Sequence, residues 1–207
     1  MDLRSRPQRS ADGRHHRRRQ DQKHRPEVLA SDSEGSRPHI VHQRAQGALA
    51  CAELDLPFEH VESDPKLLAR NPNALVPVIQ DGELVLWESS AICRYLAGKQ
   101  PRATLLPAEP QSRALVEQWM DWQATDLNMA WRYGFLALAR HSTAHTDSAA
   151  IAHSVAEWNQ HMRMLDAHFA HGGQFVTGEF FTLADVVLGL TTHRWLHTPM
   201  DRPHLDA

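Results

Sequence analysis

Cysteine is scarce in this chain. Cys51 and Cys93 are the only two in 207 residues, and they form no CxxC pair. That excludes a disulfide-stapled scaffold and a thioredoxin-type dithiol, and makes a reducing, cytoplasmic setting the expectation. Long apolar runs are also missing. Nothing approaches the length of a membrane span, and the N-terminus has no apolar core of the kind a secretory leader carries. Residues 1–27 hold a single large aliphatic side chain, Leu3. Such a stretch cannot bury enough apolar surface to offset the entropy of ordering it, so the spacing predicts a disordered tail over 1–35. Its charge run, His15-His16-Arg17-Arg18-Arg19, leaves a nucleic-acid arm or an organelle presequence as functional alternatives, and Asp2, Asp12, Asp21 and Glu27 argue against the presequence.

The net charge of −3 hides an asymmetry. Residues 1–30 carry nine Lys/Arg against four Asp/Glu, and the remainder carries 13 against 21. The part able to fold is therefore acidic, which argues against nucleic acid as a partner. At 42% hydrophobic residues the chain can build a real core, in one domain or two small ones.

The most informative stretch is residues 71–99, NPNALVPVIQDGELVLWESSAICRYLAGK. Asn71-Pro72-Asn73 is turn chemistry. Val76, Val78 and Ile79 read as a short strand and Leu84-Val85-Leu86 as its return. Asp81-Gly82 between them reads as a type I′ hairpin turn. Glu88-Ser89-Ser90 opens a helix with Ile92, Cys93 and Leu96 at helical spacing, and Gly98 is placed to end it. A helix N-terminus offers free N–H groups to a carboxylate. Ser89 can add a hydroxyl, and Glu88 can pair with an ammonium. The plainer alternatives are that Ser89 or Ser90 only caps the helix and that Pro77 is an edge-strand proline.

This order of elements, with Val76-Pro77 followed eleven residues later by Glu88-Ser89, resembles the second half of the thioredoxin-like domain of bacterial cytosolic glutathione S-transferases. The resemblance runs from about residue 49 to 203. It implies a cis Val76–Pro77 bond, backbone pairing of Val76 with the cysteinyl part of glutathione, and γ-glutamyl recognition by Glu88 and Ser89. It further implies a 2-1-3-4 sheet, a homodimer and glutathione as co-substrate, with no other cofactor.

Upstream the resemblance fails. Residues 31–38 are polar where a first strand belongs, and the position of the family's thiolate-activating hydroxyl falls to Ile40 or Val41, with Ser36, His39 and His42 nearby. The catalytic residue is therefore left unassigned. One allowed codon set for residues 39–47, read one base later, spells a run similar to the family's first loop. The expectation is that the chain is aberrant or frame-shifted up to about Ala48 and that its sheet, lacking a central strand, closes poorly.

From residue 109 the pattern is helical. Leu115, Trp119, Trp122, Leu127 and Trp131 recur near helical spacing within 112–141, and Val155, Trp158, Met162, Leu165 and Phe169 do so within 147–171. By resemblance the first of these helices also walls the electrophile pocket, with Trp122, Arg132 and Tyr133 as candidates. Thr182 and Asp185 form a capping box, flanked by a Phe181/Val186 staple, and are read as folding determinants. His193 and His197 have metal-capable spacing, but no third ligand accompanies them and no metal is expected.

The sequence thus predicts a partly degraded α/β thioredoxin-like domain (36–99), a linker (100–108) and an all-α bundle (109–207) shortened at its C-terminus. The expected function is conjugation of glutathione to a small electrophile in the cytoplasm. The alternatives are a non-catalytic glutathione-binding or protein-interaction module, or an inactive product of a shifted frame.

Overall fold

The computed structural model describes residues 39–41, 46–61, 64–100 and 104–206, with backbone alone at 39–41 and 46. The tail predicted over 1–35 lies outside the described residues. All the described residues fall in one compact unit. Four short strands, β1 (His39–Val41), β2 (Glu59–Val61), β3 (Val78–Asp81) and β4 (Leu84–Trp87), make one sheet in the order β2-β1-β3-β4. β2 runs parallel to β1, and β3 runs antiparallel to both β1 and β4.

This corrects the expectation that the central strand is lost. His39-Ile40-Val41 takes that place, with Ile40 opposite Ile79 and Val41 opposite Val78. Three consecutive residues with β-branched members suffice where a strand is paired on both edges. Ile40 and Val41 therefore belong to the strand rather than to the loop position of the activating group. The loop itself, 42–45, lies outside the described residues.

Helices α1 (Gln46–Glu53), α2 (Pro65–Leu68) and α3 (Ser89–Lys99) belong to the sheet portion. Two details differ from the sequence reading. The hairpin turns on Gly82-Glu83, because Asp81 is already paired with Leu84, and among these residues only Gly82 is left-handed, at φ 59°. Gly98 lies inside α3, and the chain leaves the helix after Lys99 through an extended Gln100 at φ −113°.

The second portion begins with α4 (Pro110–Trp122), which passes through a π-helical turn at Gln123–Leu127 into α5 (Asn128–Leu138). The π turn shifts the phase of the buried face. Val116, Met120, Leu127 and Trp131 are buried, whereas Leu115, expected inside, is 54% exposed. α6 (Ser148–Phe169) buries Trp158, Met162 and Leu165 as expected. α7 (Leu183–His197) buries Leu183, Ala184, Val186, Val187, Leu188, Thr191 and Trp195. Burial on so many sides makes it the central helix of the bundle.

One apolar cluster joins both portions. Ile79, Ile92 and Leu96 belong to it together with Met120, Leu127, Trp158, Leu183 and Val187. Some polar atoms inside it are paired: Gln123 Nε2 donates to Thr191 Oγ1 at 3.0 Å, and Trp195 Nε1 donates to Asn159 Oδ1 at 2.8 Å, whereas the indole N–H groups of Trp131 and Trp158 find no partner among the described residues.

Asp185 holds the start of α7. Its Oδ2 accepts from the Thr182 N–H at 2.8 Å and from the Thr182 hydroxyl at 2.9 Å, and its Oδ1 accepts from the Val176 N–H at 2.8 Å. The Thr182/Asp185 pair thus ties a loop to a helix. Phe181 packs against the same core that buries Val186.

Candidate functional site

The strand register decides where the site lies. Val78 pairs with Trp87 at one end of the β3–β4 ladder, and Val41 pairs with Val78. The residues that precede Val78, namely Val76-Pro77, and those that follow Trp87, namely Glu88-Ser89, therefore emerge at the same sheet end. β1 ends there as well, at Val41.

The Val76–Pro77 bond is cis. Val76 is 42% exposed and Leu75 is 59% exposed, so the backbone at this bend is open to a ligand. Pairing stops at Val78, and the amide groups of residue 76 are not used in the ladder.

Asn71 shapes this bend, which the sequence alone marked only as turn chemistry. Its side chain is 5% exposed. Its Oδ1 accepts from the Asn73 N–H at 3.0 Å, and its Nδ2 donates to the Leu75 carbonyl at 2.6 Å. The Asn71 carbonyl accepts from the Ala74 N–H at 2.8 Å, with Ala74 in the left-handed region at φ 50°. A buried amide that satisfies two backbone groups, with its own main-chain carbonyl taking a third, sets the path into residue 76. The residue type could have signalled this, since asparagine closes turns on its own backbone, but the reach to Leu75 is a tertiary feature.

Glu88 is the N-cap of α3 and sits at φ 70°, ψ 115°, a conformation that side-chain-bearing residues rarely adopt. Such positions persist where surrounding structure holds them. Here β4 and α3 lock Glu88 from both sides: Trp87 is in the ladder, and the Ile92 N–H bonds to the Glu88 carbonyl at 3.0 Å.

Glu88 makes no side-chain cap bond to α3, and Ser89 and Ser90 are already its first two helical residues, with no other side-chain cap among the described residues. The reading in which Ser89 or Ser90 serves as a cap therefore fails. The contrast with the rest of the chain is informative. Asp64 accepts two N–H groups at α2, Glu109 accepts two at α4 and Asp147 accepts two at α6. At α3 the first N–H groups are left open beside a half-buried Ser89 and an exposed Glu88. An open helix start with a hydroxyl and a carboxylate beside it can take a group bearing both charges, its carboxylate at the N–H groups and its ammonium at Glu88.

The two thiols do not take part. Cys51 and Cys93 are buried and unpaired. Burial pushes the Cys51 thiol up to about 11, with Lys99 pulling the other way, and pushes Cys93 up to about 12, with Cys51 adding to the rise. A thiol held protonated is not a nucleophile.

The residues proposed for the electrophile wall sit in different surroundings. Trp122 packs edge-on against Trp119 at 5.2 Å and lies 5.6 Å from the His161 ring. Arg132 is exposed. Tyr133 lines a cavity of about 430 Å³ between α5 and α6, with Asp126, Met129, His153, Glu157 and His161. No residue of β3, β4 or α3 lines that cavity. His197 Nδ1 lies 2.8 Å from the His193 carbonyl, which places the pair in helix-surface contacts of their own.

Comparison with known proteins places these features in context. A family model described as "Glutathione S-transferase, N-terminal domain" matches residues 35–98. Glutathione S-transferase GstB of Escherichia coli K12 is 37% identical over 150 residues, covering 68% of this chain and 72% of that protein. Glutathione S-transferase 3 of Zea mays is 35% identical over 146 residues, covering 64% of each chain. Among solved structures, the theta class glutathione S-transferase of Xanthomonas axonopodis pv. citri with glutathione bound superposes with a TM-score of 0.74 at 34% identity. The match covers 82% of this chain and 87% of that one.

Proposed function

The chain belongs to the glutathione S-transferase family, and on that premise we propose that it binds glutathione at Val76, Pro77, Glu88 and Ser89 and transfers it to a small electrophile. The observation that carries this reading is the uncapped start of α3 facing the cis Val76–Pro77 bend at one sheet end. The γ-glutamyl carboxylate takes the open N–H groups and the Ser89 hydroxyl, and its ammonium takes Glu88. The cysteinyl backbone pairs with the free amide groups of Val76, extending the ladder by one strand-like segment. Asn71 presents that bend. The glutathione thiol then loses its proton, and the thiolate attacks the electrophilic carbon. A C–S bond forms, and the leaving group departs with the electron pair of the bond that breaks. Donors to the developing thiolate assist in the way an oxyanion site does. Trp122, Arg132 and Tyr133 remain the proposed wall for the electrophile, Tyr133 being the one that lines a cavity.

A second reading, glutathione binding without conjugation, is favoured by one observation. The strand leading into the site ends in Ile40-Val41, neither of which has a side-chain donor for a thiolate. Retention on immobilised glutathione, combined with conjugation of an activated aryl halide, separates the two. Retention with turnover supports transfer, retention without turnover supports the binding module, and loss of both overturns the site.

The proposed partner beyond glutathione is a second copy of the chain. β4 is a sheet edge, and Leu84 and Trp87 on it are 41% and 36% exposed, with Leu115 on α4 54% exposed. Apolar side chains on an open edge are commonly covered by a partner. The proposed setting is the cytoplasm, and no helix among the described residues is long and apolar enough to cross a membrane.

A further inference from the structure

Among the described residues, Arg194 and Arg140 hold positive charge with no carboxylate to meet it. Arg194, in the last turn of α7, lies with its Cζ 5.1 Å from the centre of the Trp131 ring. Arg140, just beyond α5, lies 5.5 Å from the centre of the Phe135 ring. Trp131 and Phe135 are themselves edge-to-face neighbours at 5.3 Å. The two guanidiniums therefore sit on one aromatic pair. Among the described residues, neither has a carboxylate within ion-pair distance, whereas Arg94 and Arg113 are both paired with Glu117. Burial lowers the Arg194 pKa, and the charge of Arg140 lowers it further.

A second observation points the same way. Trp131 is 8% exposed, and among the described residues its Nε1–H, like that of the fully buried Trp158 beside it, has no hydrogen-bond partner. Buried indole N–H groups are ordinarily paired, and an orphan calls for a ligand, an ion or a water. The ring carrying this orphan donor is the ring on which Arg194 rests. Both arginines lie near helix C-termini, whose partial negative charge supports a cation. That partial charge does not supply acceptors for two guanidinium forks, which match the two oxygens of a carboxylate or a phosphate.

We propose that Arg140 and Arg194, set on the Trp131–Phe135 pair, form an oxyanion-binding site that takes a small carboxylate- or phosphate-bearing ligand. It shares no residue with the glutathione site proposed above and does not rest on it. The ligand's two oxygens bridge the guanidiniums, removing the repulsion between them, while each guanidinium keeps its aromatic neighbour. A macromolecule is not the expected occupant, because Arg194 is half-buried.

The test is thermal unfolding and equilibrium dialysis of the full chain at constant ionic strength, with chloride replaced stepwise by inorganic phosphate, by benzoate, or by benzoate's neutral analogue benzamide. Saturable stabilisation by phosphate or benzoate but not benzamide is expected. Response to phosphate alone identifies an inorganic ion as the ligand, and a stronger response to benzoate identifies an organic carboxylate. Arg194→Met should weaken binding by about tenfold or more, the effect of losing a charge-assisted pair of hydrogen bonds. Arg140→Met should weaken it as well, Arg194→Lys should retain part of it, and Arg113→Met should leave it unchanged. Should Arg194→Met fail to fold, the exposed Arg140→Met and Trp131→Phe variants carry the test. Equal responses in all variants, or a response that never saturates, overturn the site.

Discussion

Val78 and Trp87 face each other at the last rung of the β3–β4 ladder. The chain enters β3 through the cis Val76–Pro77 bond and leaves β4 into Glu88 and the uncapped start of α3. One pairing thus brings together two segments that are eleven residues apart in sequence. The geometry of the site depends on this register more than on any single side chain.

Ser89→Ala removes a hydroxyl beside the open helix start. Glutathione affinity should fall by about tenfold to a hundredfold, as for loss of a hydrogen bond to a charged group. Calorimetric titration with glutathione measures it. Glu88→Gln should produce a loss of similar size, directed at the ammonium, so that a glutathione analogue lacking the amino group should bind the variant and the parent equally.

Asn71→Ala should act at a distance. The variant loses the bonds to Asn73 and Leu75 that set the path into Val76. We expect KM for glutathione to rise several-fold while the KM for the electrophile stays unchanged. Steady-state kinetics with each substrate varied in turn separates this from general loss of structure, which would move both.

Asp185→Ala should lower stability by about 2–4 kcal/mol, because three donors lose their acceptor in a partly buried corner. Urea unfolding followed by tryptophan fluorescence measures it. Glutathione affinity of the molecules that remain folded should not change, since Asp185 sits at the start of α7 and not at the sheet end that carries the site.

Asp81 should leave a mark on the acid limb of stability. Its side chain is 8% exposed. Burial works against its ionisation, but the hydrogen bonds from Lys99 and Tyr95 and the charge of Lys99 outweigh that, so its pKa lies below the ordinary carboxylate value. A carboxylate whose folded pKa is depressed contributes stability above its unfolded value of about 3.9, and that contribution is lost as pH falls through the lower, folded value. Asp81→Asn should therefore be less stable than the parent at neutral pH, and the difference should shrink below about pH 4. Urea midpoints measured from pH 2 to 7 test this.

Cys51 and Cys93 should be silent towards an aromatic disulfide reagent at pH 8 in the native protein and reactive after unfolding, since burial holds both thiols far above that pH. Replacing both with alanine should leave conjugation intact. Loss of activity in a variant that melts normally would assign a thiol to the chemistry.

Much of this was legible in the residues. Pro77 after Val76 and the Glu88-Ser89 corner followed from residue type and order. Thr182 and Asp185 followed from a three-residue spacing whose geometry is local. The central strand was not legible, because His39-Ile40-Val41 is too short to stand out by pattern and becomes a strand only through pairing with Glu59–Val61 on one side and Val78–Gln80 on the other. Leu115 was placed inside by helical spacing, but the π turn at Gln123–Leu127 shifts the phase and leaves it outside. Arg140 and Arg194 are 54 residues apart in sequence, and nothing local shows that they share an aromatic pair.

By itself the sequence determined the local conformations: the turn at Asn71, the hairpin, the corner at Glu88 and the boxed start of α7. Each depends on backbone preferences and hydrogen bonds within a few residues. Tertiary structure alone decided which ends meet, which helix face is buried and which charges lack a partner. Those outcomes depend on pairing and packing between segments distant in the chain, and no local preference encodes them.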